Sequence, residues 1–123
     1  MTLTHLVSGP TARQREMHIA AAMAQLPHQD TVAVILEGLA DAQSPLQHLS
    51  GNPQHRLSRI APGCPCCIGN LVMRVTLNRL LRPAPTHLFV SIANGAHHEQ
   101  IRTFLCSPPY DAYLRWQDDA MAL

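Results

Sequence analysis

A chain of 123 residues with a net charge of +1 and 14% charged side chains is long enough to bury its own core. It is too weakly charged to announce a nucleic-acid or membrane surface, so neither partner is expected. All nine basic residues are arginines, which excludes any chemistry that needs a lysine amine. Residues 1–30 lack the basic start and apolar stretch of a signal peptide, and no apolar run is long enough to span a bilayer, so a cytoplasmic protein with reduced thiols is expected.

Leu3-Thr4-His5-Leu6-Val7-Ser8 reads as a short buried strand ended by Gly9-Pro10. Thr11 opens a helix, with Gln14 three residues later in a capping-box position. Ile19, Met23 and Leu26 line one face, and Pro27 stops it. Thr31 to Leu36 runs without alternation, as a strand buried on both faces of a parallel sheet does. Residues 41–55, with Pro45, Gly51, Asn52 and Pro53, read as a long loop. Arg56 to Ala61 is a weaker strand leading into a cysteine-rich loop, after which the spacing of Met73, Leu77, Leu80 and Leu81 predicts a helix from Asn70, ended by Pro83 and Pro85. Thr86 to Ala93 is the clearest buried strand, and Asn94-Gly95 turns into a helix through Ile101 and Leu105. The tail from Ser107-Pro108-Pro109 predicts a short helix around Tyr113 and Trp116, the two aromatics anchoring it to the core.

Strands alternating with helices imply βαβ units and a mostly parallel sheet. The loops that follow the strands then gather at the carboxyl edge, where such sheets bind ligands. Ser8-Gly9-Pro10, Gly63–Cys67 and Asn94–His98 would share that edge.

Three of the four cysteines fall in Cys64-Pro65-Cys66-Cys67. Cys64 and Cys67 have the C-x-x-C spacing of zinc knuckles and Cys66 adds a third sulfur. Soft thiolates select zinc or copper(I) over magnesium. Water, a partner's residue, or His97 or His98 from the neighbouring turn would complete the shell, and eight histidines enlarge the pool of ligands. Cys106, after the last helix, is a poorer candidate. The same letters also read C-P-x-C, a thiol–disulfide pattern with Cys64 as the attacking thiolate. A thioredoxin-type fold, however, needs more chain than remains after Ser107-Pro108. The plainest reading is small buried side chains that bind nothing.

The order of features resembles the nucleotide-binding domain of the CobW/UreG/HypB-type metallochaperone GTPases, in particular the CobW-like branch. That branch has a strand leading into a P-loop, a G-C-x-C-C motif before a helix, and a strand ending in a small-residue turn. The counterparts are Leu6-Val7-Ser8-Gly9, then Gly63-Cys64-Pro65-Cys66-Cys67, then Phe89 to Gly95, so the resemblance covers roughly residues 3–105. It departs at the P-loop, G-x-x-x-x-G-K-[ST]. Counting from Gly9, Gln14 replaces the second glycine, Arg15 the lysine and Glu16 the hydroxyl. Ile92 stands at the acidic position before the turn, and the guanine-reading N-K-x-D needs a lysine the chain lacks. Arg15 is read as a solvated helix charge before an anion ligand.

The expectation is therefore a single degenerate GTPase-like α/β domain over residues 1–123. It is a truncated, P-loop-NTPase-like, three-layer structure with a mostly parallel sheet of about four strands. It would not hydrolyse GTP and would bind a thiophilic ion, zinc first, through Cys64, Cys66 and Cys67, with His97 and His98 as weaker ligands. The role would be a metal carrier, a sensor, or a partner of a metal-handling protein. An exposed sheet edge would admit a second copy as a homodimer. A thiol oxidoreductase and a non-catalytic interaction module that imitates a full-length GTPase are the alternatives.

Overall fold

The computed structural model describes residues 2–9, 11–27, 29–37, 46, 54–60, 68–92, 98–116 and 120–121. Strand β1 (Thr2–Ser8) leads to helix α1 (Ala12–Ala24), and β2 (Val32–Glu37) is followed by β3 (His55–Ile60). Helix α2 (Ile68–Leu80) returns to β4 (His87–Ile92), which feeds α3 (His98–Leu105). A 3-10 turn (Tyr110–Ala112) then precedes the short strands β5 (Leu114–Trp116) and β6 (Ala120–Met121). The sheet order is β3-β2-β4-β1-β5, with β6 also on β1, and every pairing is parallel. This is the expected α/β architecture. Among the described residues no helix is long and apolar enough to cross a membrane.

The burial patterns follow from strand position. β2 and β4 lie between other strands and are buried at every residue, whereas β3, at the end of the sheet, is half-buried throughout. Among the described residues, the sheet has one helix on one face and two on the other. Val7, Val32, Val34, Leu36 and Phe89 pack with Ile19 of α1. On the opposite face Leu6, Ile35, Leu88, Val90 and Ile92 pack with Met73, Leu77 and Leu80 of α2 and Ile101 and Leu105 of α3. Leu46, inside the predicted long loop, joins the α1-side core with no exposure.

The tail differs from the helix expected around Tyr113 and Trp116. It forms a strand, pairing Thr2, Leu3 and Thr4 with Leu114, Arg115 and Trp116, so the outer side of β1 is covered by the chain itself. The backbone ladder offered by β1 outweighs a weak helical pattern in a three-residue segment. The anchor differs as well. Tyr113 is 54% exposed, while Tyr110 is buried and donates its hydroxyl to Asn78 Oδ1 at 3.1 Å. Trp116 does pack on the core and carries the Arg102 guanidinium 5.3 Å above its ring.

Candidate functional site at the carboxyl edge of the sheet

The register aligns the strand ends. Ser8 lies opposite Ile92, Leu36 opposite Ser91, and Glu37 opposite Ile60. The four long strands therefore finish level, and the segments after them all leave from one edge. The cysteine segment leaves β3 at Ile60 and re-enters at Ile68, while the His97 segment leaves β4 at Ile92. With β2 between them, Ile60 and Ile92 are about 10 Å apart across the sheet. Cys64, Cys66, Cys67 and His97 lie outside the described residues. His98 begins α3, but its side chain is outside them too. Cys106 is exposed at the end of α3. Since α3 starts after the carboxyl end of β4 and runs back along the sheet, Cys106 lies toward the opposite edge, as expected. Among the described residues no group of three histidine, cysteine or acidic side chains is arranged to hold a metal ion.

The cysteine segment is braced where it leaves the sheet. On the β3 side, Arg59 and Glu16 of α1 form an ion pair at 3.2 Å, with the carboxylate side chain only 4% exposed. At the far end of α2, remote from the cysteine segment, Arg56 near the start of β3 donates to the carbonyls of Arg79 at 2.7 Å, Leu80 at 3.1 Å and Pro83 at 3.4 Å. A cation there satisfies helix-end carbonyls and complements the negative end of the helix dipole.

The first turn of α1 is where the structure corrects the sequence reading most. Thr11 caps the helix, accepting from the Gln14 amide at 3.1 Å. Arg15 is not a solvated charge. It is 3% exposed and each of its three nitrogens donates to a protein oxygen: Nε to Ser91 Oγ at 2.8 Å, Nη1 to the Gly9 carbonyl at 2.9 Å, and Nη2 to the Glu37 carbonyl at 3.2 Å. One side chain thereby ties together the ends of β1, β2 and β4. Burial pushes the guanidinium below its ordinary range, and the charges of Glu37 and Glu16 oppose that shift. A buried cation is tolerated where carbonyl oxygens and carboxylates surround it.

Glu16, which stands where the resemblance expects a magnesium-binding hydroxyl, is likewise buried and paired with Arg59. The sequence held a signal for both. Extending the apolar stripe of Ile19, Met23 and Leu26 back by three and four residues lands on Glu16 and Arg15, so both belong on the face turned to the sheet. Ser91 and Glu37 carried no comparable sequence cue.

Among curated proteins, the chain is similar to the protein named zinc chaperone YeiR of Escherichia coli (strain K12). The identity is 28% over 115 residues, which is 93% of this chain and 35% of that protein. The chain thus spans about a third of the length of the curated relative it matches. This supports a distant CobW-like relationship. No family model matches the chain, and no solved structure matches it.

Proposed function

We propose that the chain is a non-hydrolysing CobW-like GTPase homologue that binds a thiophilic metal ion, zinc first, through Cys64, Cys66 and Cys67, and acts as a metal carrier or sensor. The observation that carries the reading is where the cysteine segment is anchored. It leaves β3 at the level carboxyl edge, beside the Arg59–Glu16 pair, and rejoins the fold at the first residue of α2. Three thiolates within four positions of a short segment joining a strand to a helix are constrained to a small volume, which favours a closed thiolate site. Likeness over 93% of the chain to a protein named a zinc chaperone supports zinc as the ion. His97 or His98 would complete the shell. The loss of GTP hydrolysis is supported by Arg15 and Glu16. The side chains at the P-loop lysine and hydroxyl positions are turned inward and engaged with the protein. The recipient would be a protein of metal handling, and a second copy of the chain would pair along the outer edge of β3.

The test is to purify the full chain under reducing conditions and measure zinc, free thiols and nucleotide binding together. About one zinc per chain, lost in the triple Cys64→Ser, Cys66→Ser, Cys67→Ser variant, is the expected result. No metal at any zinc supply, together with a readily cycling Cys64–Cys67 disulfide, overturns it in favour of a thiol oxidoreductase. Tight magnesium-dependent GTP binding overturns the claim that the nucleotide site is lost.

A further inference from the structure

A layer of imidazoles lies on the α1 side of the sheet, toward its amino end. His5 of β1 is stacked on Phe89 of β4, ring centroids 4.4 Å apart and planes 12° apart. His87 of β4 is 5.8 Å from His5, centroid to centroid. The His87 Nε2 donates to Asp30 Oδ2 at 2.9 Å. His5 Nε2, His87 Nδ1 and His55 Nδ1 are buried without hydrogen-bond partners among the described residues. Buried polar atoms without partners call for an explanation. A metal site is not that explanation, because no three such groups converge on an ion among the described residues.

The neighbours of His5 explain it better. From β4 it meets the Phe89 ring and His87, and from α1 the charge of His18 would repel its own. From β5, Arg115 is exposed at the register position of Leu3, and so on the same face two residues away. Asp30, the carboxylate at this end of the layer, is engaged by His87. A proton on His5 would thus meet burial and like charge together, and burial is the larger effect holding this ring neutral down to about pH 4.

We propose that this histidine layer is an acid-sensitive latch on α1: a cationic His5 loosens α1 on the sheet, and with it the Arg15 and Glu16 contacts that brace the carboxyl edge. α1 is the element that yields. β1 is held on both sides by the β4 and β5 ladders, whereas α1 is attached mainly by side chains such as Ile19 and Met23. The latch couples two ends of the molecule, since the helix that covers His5 also carries the residues that clamp the strand ends. It does not depend on what the cysteine segment binds.

The test is amide hydrogen exchange by NMR on the full chain between pH 7 and pH 4, with the His5 ring protons followed in the same samples. α1 amides should lose at least tenfold in protection factor as His5 titrates, at a pH where α2 amides keep theirs. In His5→Gln and His5→Phe, α1 protection should persist through that range. Simultaneous loss in α1 and α2 overturns the proposal, as does an unchanged acid response in either variant. Should neither variant fold, the native chain still decides, because separate midpoints for the His5 ring and for α1 opening also overturn it.

Discussion

The Arg59 guanidinium and the Glu16 carboxylate meet in a fork, Nη1 to Oε2 at 3.2 Å and Nη2 to Oε1 at 3.4 Å, that ties the strand launching the cysteine segment to the first turn of α1. A bidentate pair of this kind fixes orientation as well as distance. Removing one partner leaves the other charge in a site made for two. Glu16→Ala should therefore lower unfolding stability by about 3 kcal/mol, and Arg59→Met by somewhat less, since Arg59 is the more exposed partner. The double variant should cost at least about 1 kcal/mol less than the sum of the two. Urea unfolding of the four proteins measures this, and strict additivity would refute the pairing.

Arg15 makes a different kind of contact, because its acceptors are two backbone carbonyls and a serine. Arg15→Met removes three hydrogen bonds to strand-end oxygens, at a cost of about 3 kcal/mol. Arg15→Lys keeps the charge but loses the planar fork, so it should recover part of that stability and not all of it. Although the lysine variant restores a P-loop letter, magnesium-dependent GTP binding should remain absent, since Gln14 and Glu16 still depart from the pattern. Thermal melts of both variants, alongside a nucleotide-binding titration, give the two readouts.

Equilibrium stability should also fall with acid through His5. Burial, then the neighbouring His87 and His18, push this imidazole from 6.5 down to about 4. As pH falls, the unfolded chain takes up the proton first, so stability rises with pH across that window. The contribution is fully present above pH 6.5 and is lost as pH drops toward 4. For a ring that is half-buried rather than sealed, the loss should be about 2 kcal/mol. His5→Gln should flatten the stability profile between pH 6.5 and 4, and a variant with the native slope would assign the effect to other groups.

The tail offers a contrast between two tyrosines three residues apart. Tyr110 is buried against α2 and α3, with its hydroxyl on Asn78 and its ring 5.3 Å from Phe104. Tyr113 is 54% exposed. Tyr110→Phe should cost about 1 kcal/mol for the lost hydrogen bond and Tyr110→Ala about 4 kcal/mol. Tyr113→Ala should stay within about 0.5 kcal/mol of the native chain. Denaturant melts that rank the two sites the other way would place the anchor where the sequence alone suggests it.

The long elements were legible because their patterns are strong. Continuous apolar runs marked β2 and β4, and proline punctuation ended α1 and α2 within a residue or two of where they stop. Short-range signals failed where pairing with a distant strand decides the outcome: Leu114–Trp116 is too short to declare itself, and only its partner Thr2–Thr4 makes it a strand. Arg15 was misread for another reason. Charged residues are usually exposed, and the acceptors that make its burial tolerable, Ser91 and the Gly9 and Glu37 carbonyls, lie on three separate strand ends. His5 and His87 are equally hidden in sequence, since 82 positions separate two rings that β1–β4 pairing brings to 5.8 Å. The cysteine pattern pointed to chemistry without fixing geometry, and the fold adds where its ends are held.

Cys106 supplies an internal control for the proposed metal site. It is exposed and follows α3 toward the edge of the sheet remote from Ile60 and Ile68. It should therefore contribute no ligand, and Cys106→Ser should keep the native zinc content. Thiolates bound to zinc react slowly with thiol reagents, whereas an exposed free thiol does not wait for the metal to leave. In the zinc-loaded chain one of the four cysteines should label fast, and a chelator should release three more. In Cys106→Ser the fast phase should vanish while the chelator-dependent phase stays. Zinc lost with Cys106→Ser, or four thiols that label alike with zinc bound, would move the site away from Cys64, Cys66 and Cys67.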